Sequence, residues 1–249
     1  MRESEQPLRQ LANSVRDAGH IVVLTGAGVS AESGLATFRD PQDGLWAEYR
    51  PEDLATPEAF ARDPQMVWRW YEWRRARLRS VAPNPGHYAL AELQQRVPSL
   101  TLITQNVDGL HQQAGSRDVI EFHGNITRTV CSNRSCPGQW HTGDQREPPH
   151  CPACDALLRP DVVWFGESIP LAAMQASLAA LAACDVFMSI GTSSVVYPAA
   201  GMAQQAAANG AVIVEINPHA TPLSSAADLV IPGPSGAVLP AVIKQLDRA

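Results

Sequence analysis

"IVVLTGAGVSA", residues 21–31, decides how the fold is read. Ile21 to Thr25 form an uncharged, β-branched run, the mark of a strand buried on both faces. A Gly-x-Gly-x-x-Ala turn, Gly26 to Ala31, follows it directly. Glycines at such a turn permit a tight bend and let the main chain approach a pyrophosphate, which a helix N-terminus favours electrostatically. The motif alone is weak, because a plain strand-to-helix turn uses the same residues. The acidic residue expected at the end of the next strand is missing about 20 residues on, which argues against an ordinary dehydrogenase. A later strand end, near Asn217, is the candidate to replace it.

Outward from this stretch, short apolar runs recur at 100–104, 119–122, 185–190, 211–216 and 228–231. Helical patterns at 86–97, 171–184, 198–210 and 236–247 separate many of them. Strands alternating with helices predict an α/β fold with a mostly parallel sheet covered on both faces. Small and polar residues cluster just after each run: "GAGVSA", "QNVDGLH", "HGN", "GTSS" and "NPH". In an open parallel sheet that edge is where ligands bind.

Two segments break the rhythm. Residues from about 45 to 84 are helical and rich in Trp and Arg, and residues from about 126 to 159 are polar and Pro-rich. The second holds Cys131, Cys136, Cys151 and Cys154 as C-x4-C and C-x2-C knuckles separated by 14 residues. Four soft ligands so spaced predict tetrahedral zinc, and with every position taken by sulfur the metal is structural. Cys184, in an apolar helical stretch, reads as core.

The remaining composition narrows the function. The chain has 249 residues, 45% hydrophobic and 18% charged, a globular profile. A net charge of −6 argues against a nucleic-acid binder. With no signal peptide pattern and no apolar run of membrane-spanning length, the expected location is cytoplasmic, with no membrane association. His123, in "FHGN", follows a strand and neighbours Gln105, Asn106 and Asp108 at the end of another, which raises it above an ordinary structural histidine. His111 reads as a capping or packing residue, and His20, His87, His141, His150 and His219 as structural or exposed. In "WRWYEWRR", residues 68–75, Tyr71 lies within a helical turn of both Arg74 and Arg75, and spacing does not choose between them.

Together, "GAGVSAESGLATFRD" (26–40), "TQNVDGLH" (104–111), "EFHGN" (121–125), the four cysteines, "RPDVVWFGE" (159–167), "GTSSVVYPAA" (191–200) and "EINP" (215–218) resemble the sirtuin family of NAD-dependent protein deacylases. The resemblance runs in one consistent order from about residue 15 to the C-terminus, and is strongest to the bacterial branch related to desuccinylases. It implies a Rossmann-like doubly wound parallel sheet with a smaller lobe made of a helical module and a zinc-binding module. The boundaries expected are 1–45, 85–125 and 160–249 for the large domain, 46–84 for the helical module and 126–159 for the zinc module.

The same resemblance implies roles. Gly26, Ala27, Gly28 and Ser30 would cradle the NAD phosphates, and Thr37, Phe38 and Arg39 would lie on a loop closing over the cofactor. Gln105, Asn106 and Asp108 would surround the nicotinamide and its ribose; Gly191, Thr192, Ser193, Asn217 and Ser235 would hold the adenosine side. The acyl-lysine carbonyl oxygen would attack C1′ of the nicotinamide ribose, and nicotinamide would leave. His123, with Asn106 as its catalytic partner, would then act as general base on a ribose hydroxyl, giving free lysine and O-acyl-ADP-ribose. Val163, Phe165, Gly166 and Glu167 would hydrogen-bond the substrate backbone as an added strand. The resemblance also selects Arg74: Tyr71 and Arg74 would reach into the acyl pocket and recognise a succinyl or malonyl carboxylate beside the acetyl group. Expected partners are acylated lysines of other proteins. Two other readings stay open on the sequence: protein ADP-ribosylation from the same NAD site, and a non-catalytic NAD-sensing zinc protein.

Overall fold

The computed structural model describes residues 2–35, 49–136, 140 and 146–247. Six parallel strands form the main sheet: β1 (Ile21–Thr25), β2 (Leu100–Thr104), β3 (Ile120–Glu121), β6 (Val186–Ile190), β7 (Val212–Asn217) and β8 (Leu229–Pro232), in the order β3-β2-β1-β6-β7-β8. Strand β4 (Gly124–Cys131) pairs antiparallel with β5 (Leu158–Val162) in a separate two-stranded sheet.

Burial explains the run of uncharged residues in the central strands. Alternate side chains leave a strand on opposite faces. Ile21 and Val23 therefore join one core with Leu11 and Val15 of α1 (Arg2–Asp17), Leu90 and Leu93 of α6 (Pro85–Arg96), and Leu239 and Val242 of α10 (Ser235–Leu246). Val22 and Leu24 join the other, with Leu181 of α8 (Leu171–Ala182) and Met202 and Ala206 of α9 (Met202–Ala208). With helices on both faces there is no polar side for the strands to show, so the usual in–out alternation disappears.

The Trp- and Arg-rich segment forms α3 (Pro51–Leu54), α4 (Pro57–Arg62) and α5 (Pro64–Leu78). Local chemistry sets the starts: Thr56 and Asp63 accept from main-chain N–H groups at the heads of α4 and α5, each followed by a proline that needs no acceptor. These helices build a third core in which Leu54, Phe60, Trp70 and Tyr71 pack with Ile126 of β4, Val162 of β5 and Trp164. Trp70 is fully buried, and truncating so large a core side chain to alanine costs about 3–5 kcal/mol.

Candidate active site

The strand order reverses between β1 and β6, and the chain closes these two ends to main-chain distance. Gly28 N–H donates to the Gly191 carbonyl at 2.9 Å. A Cβ on Gly26 or Gly28 would lie 2.8 Å from that oxygen. Gly191 has φ +60°, and a Cβ there would lie 2.5 Å from Val29 N. Only glycines fit, and what remains at the switch point is a cradle of main-chain groups suited to a diphosphate. Beside it, Asn217 Nδ2 donates to the Thr192 carbonyl at 2.7 Å, and Gly191 N–H donates to Ile216 O at 2.9 Å, which brings Gly191, Thr192, Ser193 and Asn217 together at the ends of β6 and β7. Ser235 is buried, and its hydroxyl is committed to Glu32 at 3.2 Å, which also receives Gly236 N–H at 2.8 Å. Thr37, Phe38 and Arg39 lie outside the described residues.

Beneath the cradle runs a buried polar network. Asn106 Nδ2 donates to Gly26 O at 3.0 Å and to Ser30 Oγ at 3.1 Å, which fixes the amide's orientation. Ser30 gives its own hydrogen to Asp108 Oδ2 at 2.7 Å, while Leu110 N–H donates to Asp108 Oδ1 at 2.9 Å. Burial raises the Asp108 pKa, and these two donors and the Arg74 charge oppose it.

Two histidines complete the network, and both had the setting of ordinary structural residues in the sequence. Asn84 N–H donates to His87 Nδ1 as part of a capping box on α6, so the ring proton sits on Nε2, 3.5 Å from Ser30 Oγ. His111 Nε2 lies 2.9 Å from Thr25 Oγ1, which donates to Thr104 Oγ1 at 2.8 Å. The two rings meet at a 58° tilt with centroids 4.8 Å apart, and burial lowers their pKa values to about 4 for His87 and about 3 for His111. Neutral rings are what a desolvated pocket allows. Asn84 followed by Pro85 is the helix-start pattern that could have placed His87 here, and nothing local distinguished His111.

His123 follows β3 and lies beside the end of β2. Its Nδ1 is 3.2 Å from the Gln105 carbonyl. A carbonyl only accepts, so Nδ1 carries the proton and Nε2 the lone pair. Burial lowers the His123 pKa, with the Gln105 contact opposing. The backbone beyond it is locked: Val163 N–H donates to His123 O at 2.9 Å, and Gly124, at φ +81°, presses on Asp161 O, where a Cβ would come within 2.2 Å.

The stretch 163–167 is held internally. Trp164 N–H donates to Glu167 Oε2 at 2.9 Å and Phe165 N–H to Ala55 O at 2.9 Å. Glu167 is gripped by the fork of Arg159 at 2.7 and 2.8 Å, and burial of this carboxylate is outweighed by that pair, which keeps its pKa below the usual range. Glu167 therefore shapes the loop, leaving Phe165 exposed and, among the described residues, the Val163 and Phe165 carbonyls and the Gly166 N–H without main-chain partners.

Arg74 and Arg75, adjacent on α5, separate cleanly. Arg75 binds the small sheet: Nε donates to Ile126 O at 2.5 Å, and Nη2 to Arg128 O at 2.8 Å and Thr129 Oγ1 at 3.1 Å. Arg74 instead lies over the Trp70 ring at 4.9 Å and 6.0 Å from the Tyr71 ring. Desolvation lowers its pKa, while Tyr71 and Asp108 favour its charge. Tyr71 accepts the Trp164 indole N–H at 2.9 Å, so its own hydrogen is left to donate, and burial raises its pKa to about 12.

Cys131, Cys136, Cys151 and Cys154 bring their sulfurs within 4.8 Å of one another, with contacts of 3.5 Å (Cys131–Cys154) and 3.7 Å (Cys136–Cys151). The edges of a tetrahedral site with Zn–S near 2.3 Å are about 3.8 Å long. The donor set fits structural zinc. The sequence did not reveal that one of these cysteines ends a paired strand: Cys131 closes β4 opposite Leu158 of β5.

Residues 26–198 match the model of the Sir2 family. The chain is 49% identical over 238 residues to NAD-dependent protein deacylase 2 of Pyrobaculum aerophilum, covering 96% of this chain and 95% of that protein. Among solved structures, a Sir2 homologue–NAD complex is 43% identical, with a TM-score of 0.88 over 96% of this chain and 93% of that one. A mutant Sir2 homologue bound to 2′-O-acetyl ADP ribose gives the same TM-score of 0.88 at 43% identity, covering 96% of each chain.

Proposed function

The chain belongs to the Sir2 family and is an NAD-dependent protein deacylase, and we propose that its pocket takes succinyl- and malonyl-lysine as well as acetyl-lysine. The observation behind the acyl preference is the division of labour in α5, where Arg75 is tied to β4 while Arg74 sits over Trp70 beside Tyr71. A guanidinium forks onto a carboxylate with two parallel hydrogen bonds, and a phenol held protonated donates a third. Ala55, a small side chain in the core that holds Tyr71 and Trp164, would occupy less of the space that a longer acyl chain needs.

Bound NAD supplies an electrophilic ribose carbon and nicotinamide as the leaving group. The main-chain cradle of Gly26, Ala27, Gly28 and Gly191, with Ser30, holds the diphosphate; Thr192, Ser193, Asn217 and the Ser235 turn hold the adenosine side. Gln105, Asn106 and Asp108 orient the nicotinamide ribose. His123 takes the proton of a ribose hydroxyl on Nε2, the nitrogen its Gln105 contact leaves unprotonated. The Val163 and Phe165 carbonyls and the Gly166 N–H meet the substrate main chain, in a mode largely indifferent to side-chain identity. The zinc supports the module around β4 and β5 and takes no part in the chemistry. The cleft between the main sheet and the helical and zinc modules is the active site in this reading, and the reduced thiolate set suits the cytoplasm.

Incubation with NAD and peptides carrying acetyl, malonyl or succinyl lysine, followed by mass spectrometry, tests the reading. Free lysine and the matching O-acyl-ADP-ribose are expected from all three. A protein carrying ADP-ribose in place of those products would overturn it.

A further inference from the structure

The passage from the main sheet to the small one runs through His123 and Gly124, and one carboxylate closes a ring of contacts around it. Glu121, on β3, accepts at Oε1 from Gln112 Nε2 of α7 (Leu110–Gln113) at 2.8 Å and from Asn125 Nδ2 at 2.6 Å. At Oε2 it accepts from Arg128 Nη1 at 2.5 Å. Arg128, on β4, gives its Nε to Asp161 of β5 at 2.7 Å. Asn125 is buried, and its Oδ1 receives the Thr127 main-chain N–H at 3.0 Å.

The side chains in this ring belong to both sheets. Glu121 precedes His123 by two residues and Asn125 follows it by two. The side chain of Glu121 is 15% exposed, and those of Arg128 and Asp161 30% and 32%, so the charges meet in a half-desolvated setting where water does not fully screen them. Arg75, a fourth charged neighbour, donates from Nη2 to the Arg128 carbonyl at 2.8 Å. None of these groups belongs to the proposed catalytic or cofactor set.

We propose that Glu121 is a positioning residue: through Asn125 and the Arg128–Asp161 pair it locks the small sheet to the main one and so sets His123 against the substrate strand at 163–166. The proposal rests on the reading of His123 as the base. A displacement of about 1 Å at a reacting group costs on the order of a hundredfold in rate. Glu121→Gln keeps the side chain's shape but turns an acceptor, or an amide donor, toward Arg128 in place of the carboxylate.

The test uses the full chain with zinc bound, as parent, Glu121→Gln, Arg128→Gln, the double variant and His123→Ala. Deacylation and exchange of labelled nicotinamide into NAD are measured with the same acyl peptide. Nicotinamide exchange needs the first bond cleavage but not the base. Glu121→Gln and Arg128→Gln are each expected to lower the kcat of deacylation about ten- to a hundredfold, with exchange retained and the thermal midpoint within about 4 °C of the parent. The double variant is expected to be no slower than the worse single one, since the two residues act as a unit. Equal loss of exchange and deacylation, in either single variant, would reduce Glu121 to a structural role and overturn the proposal. Parent-like rates in Glu121→Gln beside an inactive His123→Ala overturn the proposal alone, whereas an active His123→Ala overturns the functional reading and the proposal with it.

Discussion

His123 Nδ1 lies 3.2 Å from the Gln105 carbonyl oxygen, and this contact decides which nitrogen carries the lone pair. His123→Ala is expected to lower deacylation by at least about a hundredfold, while NAD affinity, measured by calorimetry, stays near the parent value. Burial holds the His123 pKa below the ordinary 6.5, so the basic form persists to lower pH. The acid limb of kcat/KM is therefore expected to have its midpoint below pH 6.5. An acid limb centred above that value would mean that another group limits the rate.

The sulfur cluster sets a second expectation. Four thiolates leave no coordination position for substrate, so removing the metal is expected to loosen the module around β4 and β5 rather than stop one chemical step. Cys151→Ser should lose zinc, thermal stability and activity together, as read by metal analysis and calorimetry. A stable, zinc-free and fully active Cys151→Ser protein would exclude the structural role.

The His87–His111 pair makes stability depend on pH. Both rings are neutral when folded, with pKa values near about 4 and about 3, against 6.5 when exposed. The unfolded chain thus binds more protons below pH 6.5, so stability is full above that pH and is lost as pH falls toward the folded values. Two such protons give a slope on the order of 2–3 kcal/mol per pH unit near the middle of that window. Urea unfolding of the parent and of His111→Gln between pH 4 and 7 should show the steeper acid loss in the parent. Parallel profiles would mean that other groups set the acid limit.

How much of this was legible in the sequence follows from the range of the interactions. Strands such as Ile21–Thr25 and Leu100–Thr104 announce themselves locally, because burial on both faces removes every charge from the run. Gly26, Gly28 and Gly191 are likewise visible as turn chemistry, though their mutual contact is not. The β4–β5 pair was missed: its strands lie 27 residues apart, from Cys131 to Leu158, and Pro160 and an irregular register hide the alternation. His87 and His111 gave no local signal of their ring contact, since it depends on the packing of α6 against α7. Arg74 and Arg75 are indistinguishable by spacing, and the separation comes only from where β4 offers the carbonyls of Ile126 and Arg128.

That separation leads to the sharpest expectation. Arg74 is the arginine of α5 placed over Trp70 and beside Tyr71, whereas Arg75 holds the small sheet. Truncating one member of a desolvated charge pair costs about 2–5 kcal/mol, or about 30- to several-thousandfold. Arg74→Met, which keeps length but not charge, is expected to impose a loss of that order on succinyl-lysine and to leave acetyl-lysine turnover within about tenfold. Tyr71→Phe removes the phenol donor and also the acceptor of the Trp164 indole, so it should cost succinyl-lysine less than Arg74→Met does and also slow acetyl-lysine slightly. Arg75→Met, by contrast, should lower thermal stability and slow both substrates alike. Steady-state kinetics on matched succinyl and acetyl peptides distinguishes these outcomes, and equal losses on both for Arg74→Met would return the whole helix to a packing role.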